Sequence, residues 1–236
     1  MSKVHIFVRH CNYSSASAHK KRPEWFSREK FFGILLNEVQ KNVDSSTLTV
    51  IFDGDPEDHF IKNYPDIVKV DGGTDSKSFT KMLDYVLSRD DVKDEDIVYF
   101  CEDDYLHVSG FMDILREGFE TNADYVTLYD HGDKYMPGYY ETFAKGFQIQ
   151  LVPSRTIHWR TTPSTTNTYA MKMGTLKRDK DIHYKYCFHP KVGDITQDHP
   201  KFCELWNSGK SLISCIPSYS THCDFAGIAP VINWGK

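Results

Sequence analysis

Two kinds of segment alternate along the first half of the chain, and this alternation limits the fold more than any single motif does. Short β-rich runs and longer runs with helical spacing of apolar residues follow one another. The β-rich runs are residues 4–11, 48–52, 67–70, 96–101 and 125–128, and the helical runs are residues 24–43, 78–87 and 108–119. This order predicts an α/β fold with a mostly parallel, Rossmann-like sheet and helices on both faces.

The second half of the chain has a different character. Residues 129–147 are rich in aromatic side chains and glycine, which predicts a long loop or a lid. Residues 147–152 and 157–160 are predicted to pair as a hairpin, and residues 161–168 form a turn rich in hydroxyl groups. A helix is predicted at 200–207 with Asp198 as its cap, followed by a strand at 211–216. We expect one domain, residues 1–236, with two functional halves.

Composition and charge exclude several classes of protein. The formal net charge is −5, so the chain lacks the basic surface typical of nucleic-acid binders. The longest apolar run, residues 31–36, is too short to span a bilayer, and the N-terminus looks like a first strand and not a signal peptide. Six cysteines without a CxxC pair favour free thiols in a reducing cytosol, so the sequence predicts a cytoplasmic protein.

Three carboxylates, Glu102, Asp103 and Asp104, directly follow the strand predicted at 96–101. In an open parallel sheet, ligands bind beyond the carboxyl ends of the strands. Adjacent carboxylates need compensation, and Mg²⁺ or Mn²⁺ is the cation that suits oxygen ligands together with a diphosphate. The alternative is that these residues begin a helix, where negative charge is favourable. The strand before the cluster favours the metal site.

Four stretches of the chain resemble the nucleotide-sugar-dependent glycosyltransferases of the GT-A fold, in particular small family-2-like enzymes of bacteria and large viruses. They are residues 98–105 ("VYFCEDDY"), which are similar to the DxD region, residues 127–131, residues 158–166, and residues 220–223 with Pro230 and Trp234. One departure is that Glu102 stands at the first DxD position. The resemblance implies a nucleotide-sugar-binding half, residues 1–105, and an acceptor-binding half, residues 106–236.

The resemblance also implies how the donor is held. It implies that Asp104 and His222 bind Mn²⁺ or Mg²⁺. Glu102 would contact the ribose, or the metal through a water molecule, and Asp103 would contact the donor sugar. Asp53 would hold the nucleotide base, or else it is a turn residue. Further donor contacts are predicted for Arg9, at the end of the first strand, and for Gly73 and Ser76 in the glycine turn at 72–76. The alternatives are a solvated charge for Arg9 and a plain turn for the glycines.

An inverting transferase needs a general base at the acceptor hydroxyl. The resemblance places this carboxylate at the start of a helix in the second half, which fits Asp198, with Asp194 in reserve; a helix cap is the alternative role for Asp198. Acceptor contacts are predicted for residues that are otherwise typical of a core or a turn, namely Trp159, Ser164, Thr165 and Thr166.

We therefore expect a metal-dependent glycosyltransferase, inverting by preference, that transfers a hexosyl or deoxyhexosyl group from a UDP-, GDP- or dTDP-linked donor to a glycan or other hydroxyl acceptor. A nucleotidyltransferase on a similar scaffold is the alternative enzyme. It would need a glycine-rich basic loop near the first strand, and here Arg9 and residues 20–22 supply the charges without the glycines. A non-catalytic carbohydrate-binding module is the third possibility.

Overall fold

The computed structural model describes residues 2–139, 146–191 and 193–235. The helices among them are α1 Arg28–Lys41, α2 Asp75–Leu87, α3 Phe111–Glu120, α4 Met173–Lys185 and α5 Asp198–Asn207. The strands are β1 Val4–Cys11, β2 Ser46–Asp53, β3 Ile67–Val70, β4 Ile97–Glu102, β5 Tyr105–His107, β6 Tyr125–Thr127, β7 Leu151–Pro153, β8 His158–Thr161, β9 Tyr169–Lys172, β10 Leu212–Ile216 and β11 Ser220–His222.

Nine of the strands in the described part of the chain form one sheet, in the order β3-β2-β1-β4-β9-β6-β10-β8-β7. The four strands of the first half, β3, β2, β1 and β4, are parallel to one another, as predicted. Strand β9 lies between β4 and β6 and is antiparallel to both, and β8 is antiparallel to β10 and β7. The α/β fold is therefore confirmed, with a sheet that is parallel in one half and mixed in the other.

Helices cover both faces of the sheet, and the alternation of side chains along β1 shows how. Ile6 and Val8 point into the core that also holds Phe31 of α1 and Phe111 of α3. Phe7 points the other way, into the core formed with α2, α4 and α5. Because successive residues of a strand face opposite sides of the sheet, an unbroken apolar strand such as β1 must be buried on both faces.

Side-chain caps determine where the first two helices begin. The Ser27 hydroxyl accepts the N–H of Lys30, so α1 begins at Arg28 and not at residue 24. The Thr74 hydroxyl accepts the N–H of Lys77 in the same way, so α2 begins three residues earlier than predicted. The prediction that Asp198 caps α5 is wrong, because α5 already begins at Asp198 and Gln197 holds the capping position.

The remaining expectations for the second half meet with different outcomes. The hairpin is confirmed, since β7 and β8 pair antiparallel. Four elements have no counterpart in the sequence prediction: β5, β9, β11 and α4. Helix α4 buries only Met173 and Leu176 among apolar residues, so its periodic signal is weak. The loop expected at 129–147 lies partly outside the described residues.

In the described part of the chain, no helix is long and apolar enough to cross a membrane, and the six cysteines are free.

Candidate active site

A cavity of about 650 Å³ opens at the carboxyl ends of β1, β2 and β4. This is the edge at which parallel strands present their loops. The predicted site residues that line it are Arg9, Asp53, Gly73, Glu102, Asp103, Asp104, Thr166, Asp198 and His222. It is also lined by polar and small residues that the sequence analysis did not assign, namely Ser14, Ser15, Ala16, Ser17, Lys20, Asp75, Asn167 and Thr196. The fold thus brings residues from both halves of the chain to one cavity.

Arg9 lies at the floor of the cavity between two carboxylates. Its Nη2 donates to Glu102 Oε1 at 2.8 Å and to Asp75 Oδ1 at 2.9 Å. Burial disfavours the charge of Arg9, but the two carboxylates more than offset this and raise its pKa. Asp75 also accepts the backbone N–H and the hydroxyl of Thr196, both at 2.9 Å. Asp75 was not assigned from the sequence, although it lies two residues after Gly73, at the start of α2.

Asp103 has a separate cationic partner. Its Oδ2 lies 3.1 Å from Nε of Arg28, at the start of α1, and 3.6 Å from Nδ1 of His10. Burial raises the pKa of Asp103 to about 7, although the charge of Arg28 opposes this. Burial also raises the pKa of Glu102, against the charge of Arg9. Neighbouring carboxylates in this cluster therefore point to different sides and meet different cations.

Asp104 is surrounded by positively charged and histidine side chains. Its Oδ2 accepts from Arg22 Nη2 at 2.9 Å and from Lys20 Nζ at 3.2 Å, and it lies 3.2 Å from Nε2 of His222. Burial alone would raise the pKa of Asp104, but the neighbouring His222 and the charges of Lys20 and Arg22 hold it well below its usual range. The Tyr105 ring stacks on His222, with ring centres 5.2 Å apart.

Asp104 and His222 are the pair predicted to bind a metal ion, and they do lie together. Divalent ions can bind through one or two protein ligands when substrate phosphates complete their shell. However, Lys20 Nζ lies 3.2 Å from Asp104 and 3.0 Å from His222, against both ligand atoms. Within the described residues, no group of three or more His, Cys, Asp or Glu side chains could hold a metal ion. The pair does not fit a divalent ion while Lys20 stays there, and the Mn²⁺ or Mg²⁺ site stays a prediction.

The glycine turn after β3 is ordered by Asp53. Both carboxylate oxygens of Asp53 accept N–H groups, from Gly72 at 2.8 Å and from Gly73 at 2.9 Å. A Cβ on Gly72 would lie 2.7 Å from the backbone nitrogen of Ser78, so this position requires glycine. Asp53 therefore shapes the rim of the cavity, and its predicted contact with a nucleotide base stays a prediction. Ser76, also predicted as a donor contact, is fully buried below the turn, and Ser78 lines the cavity instead.

Asp198 is half-buried at the start of α5 and lines the cavity. Its Oδ1 accepts the N–H of His199 at 2.9 Å. Burial raises the pKa of Asp198, against the nearby charge of Lys201. The buried Lys201 ammonium donates to Asn167 Oδ1 at 2.9 Å and to the Tyr169 hydroxyl at 3.2 Å. The reserve candidate, Asp194, is exposed and is not among the described residues that line the cavity.

The residues predicted to bind the acceptor divide into two groups. Thr166 lines the cavity and accepts a hydrogen bond from the Tyr105 hydroxyl at 2.8 Å. Trp159 has no exposed surface and packs in the core, where its Nε1 donates to Ser154. A side chain without exposed surface cannot stack on a sugar, so Trp159 is a packing residue here. Ser164 and Thr165 are also buried and bond within the protein, to His199 and Thr127.

Comparisons with known proteins give a likeness in fold. No protein-family model matches the chain, and no curated protein matches it by sequence. The structure of CMP:2-keto-3-deoxy-manno-octonic acid synthetase complexed with CTP matches with a TM-score of 0.50 and 11% identity, covering 90% of this chain and 89% of that one. A galactosyltransferase in complex with donor and acceptor sugar analogues matches with a TM-score of 0.50 and 9% identity, covering 89% and 72%.

A 4-diphosphocytidyl-2C-methyl-D-erythritol synthase also matches, with a TM-score of 0.49 and 12% identity, over 99% of this chain and 94% of that one. At these levels of identity, the two matches with a TM-score of 0.50 show the fold alone and leave the reaction to be argued from the site. Both a synthetase complexed with CTP and a galactosyltransferase share the α/β fold of this chain.

Proposed function

We propose that this protein is a glycosyltransferase that moves a sugar from a nucleoside diphosphate donor to an acceptor hydroxyl. The observation that carries the proposal is the position of Asp198. A carboxyl that is not held by a close ion pair among the described contacts lines the same cavity as the acidic residues that follow β4. Transfer to a hydroxyl needs such a group, because the proton of the attacking hydroxyl must be removed as the new bond forms.

The reaction would proceed by direct displacement. The acceptor oxygen attacks the anomeric carbon, the bond from that carbon to the donor phosphate oxygen breaks, and the nucleoside diphosphate leaves with the bonding electrons. The acceptor proton passes to the carboxylate of Asp198. The pKa of Asp198 is raised by burial, which makes it a better proton acceptor than an exposed aspartate. One displacement of this kind inverts the configuration at the anomeric carbon.

The size of the cavity is compatible with the proposed donor. A volume of about 650 Å³ lies within the range of sites that bind a small organic ligand. The turn held by Asp53 brings the backbone at Gly73 to the rim, where it can approach a nucleoside closely. We place the nucleoside of a UDP-, GDP- or dTDP-linked donor on this side, and the sugar near Thr166 and Asp198, which belong to the second half of the chain.

Nucleotidyl transfer is the second candidate, and one observation favours it. The loop after β1, residues 12–26, lines the cavity with small hydroxyl residues and with Lys20. A loop of this kind can hold a triphosphate, and a synthetase complexed with CTP has the same fold. The loop carries no glycine, however, so its backbone cannot wrap a triphosphate as closely as a glycine-rich loop can.

The identity of the phosphate product separates the two reactions. The protein is incubated with a panel of UDP-, GDP- and dTDP-sugars and hydroxyl acceptors, and in parallel with nucleoside triphosphates and sugar phosphates. Release of a nucleoside diphosphate together with a new glycoside supports glycosyl transfer, whereas release of pyrophosphate supports nucleotidyl transfer. Binding of glycans with neither product would identify a carbohydrate-binding module.

A further inference from the structure

Lys20 lies at the position between Asp104 and His222 where a divalent ion would have to bind. Its Nζ is 3.2 Å from Asp104 Oδ2 and 3.0 Å from His222 Nε2, and those two atoms are 3.2 Å apart. A carboxylate oxygen and an imidazole nitrogen are ligands for a metal ion, and they are equally acceptors for an ammonium N–H. The cation of Lys20 therefore makes the same two contacts that a metal ion would make.

The two acceptor atoms are held in place by their surroundings. The ring of His222 stacks on Tyr105. Gly227 packs against the opposite part of the same ring, so closely that a Cβ there would lie 2.6 Å from Nδ1. Asp104 is 4% exposed and is fixed by Arg22, whose other terminal nitrogen donates to the backbone carbonyl of Cys223 at 2.7 Å. Lys20 thus meets a preformed pair of acceptors.

The carboxylates at the floor of the cavity are already neutralised without a metal ion. Each has a cationic nitrogen within 3.2 Å: Asp75 and Glu102 share Arg9, Asp103 has Arg28, and Asp104 has Arg22 and Lys20. Each of these four carboxylates therefore has a cationic partner without a metal ion. A dianionic diphosphate would still find an exposed cation there, because Lys20 lines the cavity and 23% of its side chain is exposed.

We propose that Lys20 replaces the divalent metal ion in this protein, and that the diphosphate of a nucleotide binds directly to its ammonium group. An ammonium has three N–H donors. Asp104 Oδ2 accepts one of them, and His222 Nε2 accepts the second in the tautomer that carries the ring proton on Nδ1. The third can donate to a phosphate oxygen. Hydroxyl groups of Ser14, Ser15 and Ser17, which line the cavity on the same loop, complete the diphosphate site. The inference rests on the proposed function for its ligand, the donor diphosphate.

Binding of inorganic pyrophosphate in EDTA tests this site directly. Isothermal titration is carried out with wild-type protein, with Lys20→Met, with Lys20→Arg, and with Lys21→Met, in which the exposed neighbouring lysine serves as a matched control. Wild-type protein should bind pyrophosphate in EDTA, and replacing EDTA with MnCl₂ should change the affinity less than about twofold. Lys20→Met should lose about tenfold or more, as expected when one charge-assisted hydrogen bond is removed. Lys21→Met should lose less than about twofold in affinity, because solvent ions screen exposed charges.

Other results would overturn the inference. They are pyrophosphate binding that requires Mn²⁺, no binding in either buffer, or Lys20→Met binding as tightly as the wild type. Circular dichroism shows whether Lys20→Met folds. If it does not fold, the inference is decided by Lys20→Arg and by the comparison of wild-type protein with and without EDTA. Lys20→Arg keeps the positive charge and should still bind pyrophosphate in EDTA. The readout is independent of sugar transfer. Pyrophosphate binding without any glycoside product would overturn the proposed function and leave the Lys20 site standing.

Discussion

Arg9 and Glu102 are direct neighbours in register across the parallel pair β1 and β4, and their side chains form a hydrogen-bonded ion pair of 2.8 Å at the floor of the cavity. Glu102 is the last residue of β4, and Arg9 lies in the last three residues of β1. The same guanidinium reaches Asp75 at the start of α2. One arginine therefore connects the sheet edge, the acidic cluster and the start of a helix. For this reason we expect its replacement to lower the stability of the protein more than its catalytic activity.

We expect Arg9→Gln to lower the free energy of unfolding by about 3–5 kcal/mol, because it leaves two largely buried carboxylates without their cation. Urea denaturation at pH 7 measures this. The control is Lys69→Gln, which breaks an exposed pair with Asp55 and should cost less than about 1 kcal/mol. Equal losses in the two variants would show that the cavity floor does not depend on Arg9.

Asp198→Asn should keep donor binding and lose transfer by about two to four orders of magnitude, since an amide cannot take the acceptor proton. Donor binding is followed by thermal shift and transfer by release of nucleoside diphosphate. Asp194→Asn is the matched control, because Asp194 is exposed and does not line the cavity within the described residues. Loss of donor binding in Asp198→Asn would make the residue structural.

Two glycine substitutions should act in opposite directions. Gly72→Ala places a Cβ 2.7 Å from Ser78 N and 2.9 Å from Asp53 Oδ2, so it should destabilise the protein by about 1–3 kcal/mol and weaken nucleotide binding. Gly33→Ala lies on the exposed side of α1 with no atom within 4 Å, and should stabilise it by about 0.5–1 kcal/mol. Thermal melts of both variants test this, and a neutral Gly72→Ala would contradict the tight packing of the turn.

Glu117 should make stability depend on pH in the acid range. It is buried on α3 and accepts from the Ser154 hydroxyl at 2.5 Å and from the N–H of Thr156 at 2.6 Å. Burial alone would raise its pKa, but these hydrogen bonds lower the pKa of Glu117 to about 2. Because the pKa of Glu117 is lower in the folded state, its carboxylate stabilises the protein at pH values above the unfolded pKa of about 4.3. This stabilisation is lost as the pH falls toward 2.

The expected measurement for this residue is a difference between variants. Glu117→Gln should lower the free energy of unfolding by about 2 kcal/mol at pH 7. This difference from the wild type should become smaller between pH 4.5 and pH 2. Chemical denaturation at several pH values follows it. Glu120→Gln, an exposed position on the same helix, should stay within about 0.5 kcal/mol of wild type throughout. A Glu117→Gln difference that does not change with pH would contradict the role given to its charge.

The local periodicity of apolar residues was sufficient to predict the strands and helices of the first half of the fold. Strand β1 and strand β3 have the predicted bounds, and α2 differs only at its start, where the cap at Thr74 decides. These elements bury continuous apolar stripes or runs, so their pattern is visible in the sequence itself. Helix α4 was missed for the converse reason, since much of its buried surface is polar, at Asp179 and His183.

The candidate site was only partly visible in the sequence. Glu102, Asp103 and Asp104 could be placed at the edge of the sheet, because parallel strands end at a common edge and an acidic cluster follows one of them. The sequence offered no way to know that Trp159 would be buried, since a large aromatic residue is compatible with a core or with a binding surface.

The sequence by itself determined the alternation of strands and helices, and with it the edge of the sheet at which the carboxylates would gather. Only the tertiary structure decided which cations meet them. Lys20 lies on an irregular loop and contacts Asp104 and His222, 84 and 202 residues away. An irregular loop carries no periodic signal, and contacts over such separations depend on how the whole sheet is assembled. For that reason the sequence suggested a metal ion for Asp104 and His222, whereas the folded chain places a lysine between them.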